Sequence, residues 1–317
     1  MNKAIGGYHE LELRSGEHYH HKALQLNTGR NCLEYVIRAR GYKKVYVPYY
    51  TCNVIYEALN KCNVEVENYH IGTGLYPAND FPLANDAAIL ITNYYGLVAE
   101  GVKQMAKVYG NHLIVDNAQD FFAKPIPGID TFYSARKFFG VPDGAYLYTD
   151  KHLGIELEQD QSWNRMRHLL LRADLSAEDG FKAYQAAEEA LQNQPIKRMS
   201  QLTAKILGSI DYNSASARRR DNFILLHEAL RGKNIWKFEL PTDATPLAYP
   251  LLTTDTGLRK RLIEKRIYVP TYWPNMYKAR ELNEVEHQLQ SMLPLPVSQS
   301  YNAEDMQHII DIIKNHD

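Results

Sequence analysis

Between residues 31 and 119 the chain alternates two kinds of apolar pattern. "NCLEYVIRAR" sets Leu33, Val36 and Ile37 along one side of a helix. "KKVYVPYY" then reads as a short buried strand, "TCNVIYEALNKC" as a helix and "VEVENYHI" as a strand. "AAILITNYYG" predicts a further strand, "EGVKQMAKVYGN" a helix, and "HLIVDNAQ" a strand that runs out on Asp116. Strands alternating with helices predict a mostly parallel sheet with helices on both faces. Right-handed crossovers bring the C-terminal strand ends to one edge, where such sheets bind ligands.

"FYSARKFFGVPDGAYLYT" (132–149) is two aromatic runs around a Pro-Asp-Gly turn, with Lys137 at the end of the first. A lysine among aromatics is expected to be partly desolvated, which lowers its pKa and favours a nucleophilic amine. The plainer reading is a surface lysine whose stem lies over a Phe ring. From about residue 151 the pattern changes. "SWNRMRHLLLRADL", "GFKAYQAAEEALQNQ" and "SASARRRDNFILLHEALRG" are helical. "FELP" and "LAYPLLTT" read as strands, "TGLRKRLIEKR" as a helix, "IYVPTYW" as a strand and "AEDMQHIIDIIKNH" as a last helix. These predict a small α+β domain over 213–317, after a large α/β domain over 1–212.

At 317 residues the chain exceeds one comfortable core. Its 36 basic and 37 acidic residues leave a net charge of −1, so it carries no electrostatic footprint for nucleic acid or an anionic membrane. Small-molecule partners are expected instead. Cys32, Cys52 and Cys62 fit neither a disulfide framework nor a zinc knuckle, which predicts reduced thiols and a cytoplasmic setting. "MNKAIGGYHELELRSGEHYHH" lacks the apolar run of a signal peptide, and no stretch approaches a membrane span. His18, His20 and His21 have no carboxylate or Cys at ligand spacing, so they read as a polar loop and no metal is expected.

Four features fall at strand ends or helix starts. "LNTGRNCLEYV" offers Asn27 or Thr28 as a cap and Gly29 for close approach, ahead of a helix whose free N–H groups form an anion site. Asp116 ends one strand, and Asn93 with two tyrosines ends its neighbour in "NYYGL". Lys137, with Ser134 three residues earlier, completes the set. Each alone has an ordinary structural explanation, a capped helix or a strand-end Asp closing a loop. Together they describe a phosphate site, a carboxylate, an amine and aromatic walls. A lysine amine condenses with a carbonyl, and a carboxylate keeps a pyridine nitrogen protonated. Pyridoxal phosphate needs all three groups. NAD does not need the lysine, and "NTGRN" lacks the second and third glycines of its fingerprint.

These segments resemble, in order, those of the fold-type-I pyridoxal-phosphate aminotransferases, most of all the sugar aminotransferases of the DegT/DnrJ/StrS kind. "LNTGRNCLEYVI" is similar to that family's Ser-Gly-Thr-x-Ala-Leu phosphate segment, and "KVYVPYYTCNVIYEAL" to its Val-x-x-Pro-x-x-Thr-Phe strand and helix. "NYYGLVAEGVKQMAKVYGNHLIVDNAQ" resembles its His-x-Tyr-Gly segment and the strand ending Asp-x-Ala-Gln. "FYSARKFFGVPDGAYLYT" stands where the family carries its Schiff-base lysine. "RMSQLTAKILG" resembles its Arg-Met-Ser-x-Leu-x-Ala helix, and "EKRIYVPTYWP" its small-domain strand.

The resemblance implies a fold-type-I α/β transferase fold, with pyridoxal 5'-phosphate as cofactor. It implies Lys137 as the lysine that holds that cofactor, Asp116 against the pyridine nitrogen and Gln119 near the ring hydroxyl. Gly29, Arg30 and Asn31 would hold the phosphate together with Ser134, and Tyr50, Asn93 and Tyr95 would face the substrate. It also implies transfer of an amino group from an amino acid to a nucleotide-linked keto-sugar, by a homodimer. In that dimer the "KRMSQ" region would lie where one subunit completes its neighbour's site. The chain departs from the family's pattern at several places: Arg30 replaces a small hydroxyl residue, Cys52 the ring-stacking aromatic, Asn93 a His, and Phe132 a Ser. Two alternatives remain: other chemistry on a keto substrate, or a binding protein that kept the fold. Dehydratases of the family replace the lysine with His, unlike Lys137.

Overall fold

The computed structural model describes residues 5–79, 81–279 and 281–315. Its first half contains β1 (Leu24–Leu26), α1 (Gly29–Arg40), β2 (Lys44–Pro48), α2 (Asn53–Lys61), β3 (Glu65–Tyr69), β4 (Ala87–Thr92) and α3 (Ala99–Tyr109). β5 (Leu113–Asp116), β6 (Asp130–Ser134) and β7 (Ala145–Tyr148) complete one seven-stranded sheet of order β1-β7-β6-β5-β4-β2-β3. β2 to β6 pair in parallel, whereas β7 runs antiparallel to both its neighbours.

The apolar run of β4 divides its side chains between two cores, because successive residues in a strand point to opposite faces. Ala88 and Leu90 pack with Ile114 and Phe132 against α1 and α2. Ile89 and Ile91 pack with Leu113 and Val115 against the opposite layer, which extends into the C-terminal helices. The same alternation puts Asp116 and Ser134 on the α1 side of the sheet. α1 itself starts at a Thr28 cap that accepts from the Asn31 N–H, and it stops at Gly41, whose φ of 71° suits a residue without Cβ.

Next come α4 (Arg167–Asp174) and α5 (Ala177–Glu189), packed as a helical hairpin, then α6 (Gln201–Gly208) and the long α7 (Tyr212–Leu230). The C-terminal part adds β8 (Ala248–Leu252), α8 (Leu258–Glu264), α9 (Glu284–Leu289), β9 (Met292–Pro296) and α10 (Ala303–Lys314). β8 and β9 form a separate two-stranded antiparallel sheet, pairing Ala248 with Pro296 through to Leu252 with Met292.

Two strands expected in this part do not form, and two strands, one here and one at the start of the chain, were not foreseen. "FELP" is irregular, with the Pro241 carbonyl taken by the Arg220 guanidinium rather than by a strand. "IYVPTYW" is also irregular. The carbonyls of Val269 and Pro270 accept from Arg259 of α8, and Pro270 has no N–H for a ladder. β9 and the three-residue edge strand β1 are the unforeseen ones. The α/β sheet with a small α+β unit is otherwise the architecture expected.

Candidate active site

The C-terminal ends of β4, β5 and β6 meet the start of α1. In register, Thr92 pairs with Asp116 and Asp116 with Phe132. Gly29 lies directly over this row, so a Cβ there would meet the Phe132 ring at 3.6 Å and the Ser134 Cβ at 4.0 Å. The Gly144 N–H donates to the Asn27 carbonyl at 2.6 Å, which ties the turn after Lys137 to the residue before the Thr28 cap. Asp143 holds the same turn from the other side. Its buried carboxylate accepts from the Ser200 N–H at 2.8 Å, the Ser200 hydroxyl at 2.7 Å and the Thr203 hydroxyl. The Pro-Asp-Gly turn is therefore anchored to both α1 and α6.

Asp116 is 7% exposed, and the Ala118 N–H donates to it at 2.8 Å. Burial raises its pKa to about 6, with that N–H and the charge of Lys137 opposing the rise. Burial, with Asp116 adding to it, also drives the Cys32 thiol well above its usual range. Lys137 ends a single turn of 3-10 helix after β6 and is exposed. Its Nζ has no hydrogen bond or ion pair among the described residues. The desolvated setting expected for it does not form, because Phe138 and Phe139 turn away into a core with Phe121, Tyr133 and Tyr146. The amine is thus open to ligand at the strand-end edge, close enough to Asp116 to act on its titration.

Other expected site residues have prior commitments. The Arg30 guanidinium is paired with Glu57 of α2 at 2.6 Å, so only its N–H, in the first turn of α1, is left to face an anion. Asn31 is fully buried and its amide donates to Glu34 and to the Gln194 carbonyl, which ties α1 to the segment after α5. Gln119 accepts the Tyr95 N–H at 2.7 Å, fixing a residue whose φ is 59°. Asn93 donates to Asn117 and Asp120 beneath the strand ends. Tyr50 and Tyr95 are fully buried with their hydroxyls 2.8 Å apart. Trp273 and Tyr272 pack over them, with centroids 4.7 Å from Tyr50 and 6.2 Å from Tyr95. Cys52 caps α2 and is half-buried, within electrostatic reach of Tyr184 and Tyr272.

Sequence reasoning missed three participants. Asp120 is buried, and its pKa rises to about 7 through desolvation, opposed by the Asn93 amide and the Ala123 N–H. Arg136, next to Lys137, is ion-paired with Glu188 of α5. Tyr184 lies one turn before Glu188 on the same face of α5. Only Asp120 had a visible signal, as the second acid of "DNAQD".

Solved structures with this arrangement of elements include aminotransferases and a dehydratase. A DegT/DnrJ/EryC1/StrS aminotransferase from Brucella abortus matches at 18% identity, over 92% of this chain and 85% of that one, with a TM-score of 0.62. The sugar aminotransferase CalS13 from Micromonospora echinospora matches at 13% identity, over 93% and 87%, with a TM-score of 0.62. The chain has their fold. An E coli GDP-4-keto-6-deoxy-D-mannose-3-dehydratase with bound hydrated PLP matches at 12% identity, over 92% and 87%, with a TM-score of 0.61. The fold is thus the fold-type-I architecture implied by the resemblance. No protein-family model and no curated protein matches the sequence. No helix among the described residues is long and apolar enough to cross a membrane, and no group of side chains there could hold a metal ion.

Proposed function

We propose that the chain is a pyridoxal-phosphate enzyme that transfers an amino group from an amino acid to a nucleotide-linked keto-sugar. One observation carries the reading: a buried carboxylate (Asp116), an unpartnered amine (Lys137) and the open N-terminus of α1 over Ser134 converge on one sheet edge. The donor set fits the cofactor. The Gly29 and Arg30 N–H groups and the Ser134 hydroxyl would bind the phosphate ester. Asp116 would hold the proton on the pyridine nitrogen, and Lys137 would hold the aldehyde carbon. When bound, the cofactor supplies an electron sink for the pair released from the donor's Cα.

With the cofactor bound, Lys137 Nζ would be the base that takes a proton from the donor's Cα and, in the second half-reaction, the acid that gives a proton to the former carbonyl carbon of the sugar. Tyr50 and Tyr94 pack against Trp273 and are buried, a wall that would shield one side of a bound substrate from water. The same reading carries a homodimer and a cytoplasmic setting.

Borohydride reduction of the protein with pyridoxal phosphate, followed by peptide mapping, should label Lys137. A coloured protein labelled at Lys124, or at no lysine, overturns the assignment. Glutamate alone should convert the bound cofactor to its amine form, and a nucleotide-linked keto-sugar should reverse the change. Reversal only by small keto acids moves the substrate to another class. The fixed positions of Arg30 and Gln119 favour one second reading, a binding protein, which predicts that no amine alters the spectrum.

A further inference from the structure

α7 carries a buried arginine whose hydrogen-bond acceptors are all neutral. Arg219 is 3% exposed, and burial lowers its pKa to about 10, which still leaves it charged at neutral pH. Its Nε donates to Gln299 Oε1 at 2.6 Å, Nη1 to the Leu247 carbonyl at 3.3 Å and Nη2 to the Phe138 carbonyl at 3.1 Å. The guanidinium also lies 4.5 Å from the centre of the Phe138 ring. Gln299, in the loop between β9 and α10, donates its Nε2 to the same Phe138 carbonyl at 2.8 Å. Two donors from the C-terminal part thus meet on one oxygen, a single residue beyond Lys137. From the other side, the Phe138 and Phe139 N–H groups both donate to the Ala135 carbonyl. The Leu247 N–H donates to the Tyr95 carbonyl at 3.1 Å, which refers Tyr95 to the same guanidinium.

No ion pair among the described residues includes Arg219. Burying a charge without a counter-ion is costly, and an apolar side chain of similar volume would fill the space more favourably. What the apolar side chain lacks is a planar fork, which holds several acceptors at set angles. Such a fork has a use at this turn. Lys137 is exposed and its Nζ has no partner among the described residues, so the backbone of the turn fixes where the amine stands. A reacting group misplaced by about 1 Å can lose roughly a hundredfold in rate.

We propose that Arg219, acting with Gln299, is a positioning residue for Lys137: their grip on the Phe138 carbonyl sets the place of the amine. The inference rests on the reading of Lys137 as the lysine that holds the cofactor. The step it serves is condensation of that amine with the cofactor's aldehyde. The C=N bond forms, the carbonyl oxygen leaves as water, and nothing is oxidised or reduced. Both residues act on this step through the backbone of the turn.

Gln299→Glu separates this role from a packing role. A carboxylate at 299 gives Arg219 a counter-ion but removes the second donor to the Phe138 carbonyl. The variant should match or exceed the urea midpoint of the wild type, yet bind pyridoxal phosphate, read from the imine's absorbance, about tenfold more weakly. Arg219→Lys keeps the charge without the fork, and its folded fraction should show a similar loss. Wild-type binding in both variants, or a loss that appears only where the midpoint falls, overturns the proposal. Amide exchange at Phe138 and Phe139, measured without cofactor, should be faster in Gln299→Glu while β4 and β5 keep their protection. Unchanged exchange at these two amides also overturns it. If pyridoxal phosphate never reaches Lys137 in the wild type, the cofactor reading falls. Faster exchange at the two amides then leaves the grip of Arg219 and Gln299 on the turn standing.

Discussion

Two buried aspartates set the electrostatics of the strand ends. Each has a native pKa above the ordinary 3.8, about 6 for Asp116 and about 7 for Asp120. A group with a raised pKa holds its proton more tightly in the folded chain. Its contribution to stability is complete below 3.8 and is lost as pH climbs through the native value. Ionised Asp120 also leaves its own Oδ1 and Asn93 Oδ1 buried without a donor. An amide at 120 is neutral and brings a donor to this pair. The advantage of Asp120→Asn over the wild type should therefore grow by roughly 2–3 kcal/mol between pH 5 and pH 8, read from urea midpoints. A gap that does not change with pH would show that Asp120 does not titrate in this range. Asp116 was legible because a carboxylate closing an apolar strand is conspicuous. The roles of Arg30 and Gln119 were not, since their partners, Glu57 and the Tyr95 N–H, are distant in sequence. The tyrosines misled for a related reason: a hydroxyl that finds a buried partner lets Tyr50 and Tyr95 enter the core, and no sequence pattern reports that pairing.

Among the elements, the Lys137 turn owes its position to Asp143. Asp143→Ala removes the acceptor for three donors of the α6 N-terminus, two of them on Ser200 and one on Thr203. Losing a buried charged acceptor costs more than one ordinary hydrogen bond, so the variant should be destabilised by about 2–4 kcal/mol. Chemical denaturation measures this, and a loss below about 0.5 kcal/mol would show that the turn is held elsewhere. β2, β4 and β5 were readable because each is a short apolar run bounded by polar residues, and β3 because Val64 and Val66 alternate with Glu65 and Glu67. β9 was not, because "MLPLP" carries two prolines that argue against a strand, yet it forms a two-stranded ladder in which neither strand is central. "IYVPTYW" has the composition of a strand, but Arg259 claims its carbonyls.

For the whole molecule, the apolar core beneath the sheet runs without a break from Ile89 and Leu113 through Phe223 and Leu251 to Ile310. We propose that 1–212 and 213–317 are two topological units sharing that core, and that they unfold together. Calorimetry should give one transition, whereas two well-separated peaks would show independent domains. We also propose a two-fold dimer. Ile5, Tyr8 and Trp163 are left largely exposed on the single chain, and a second copy would cover part of such a surface. Sedimentation that shows a fully active monomer at micromolar concentration would refute it. The pairing of β1 sets the order in which the large sheet can be completed. Leu24 finds its partner only at Leu147, and Leu26 at Ala145, so this strand must wait while most of the sheet is synthesised. Closing so long a loop makes the edge slow to form. A nascent chain that stalls before residue 145 carries an unpaired strand, an open template for association with other chains.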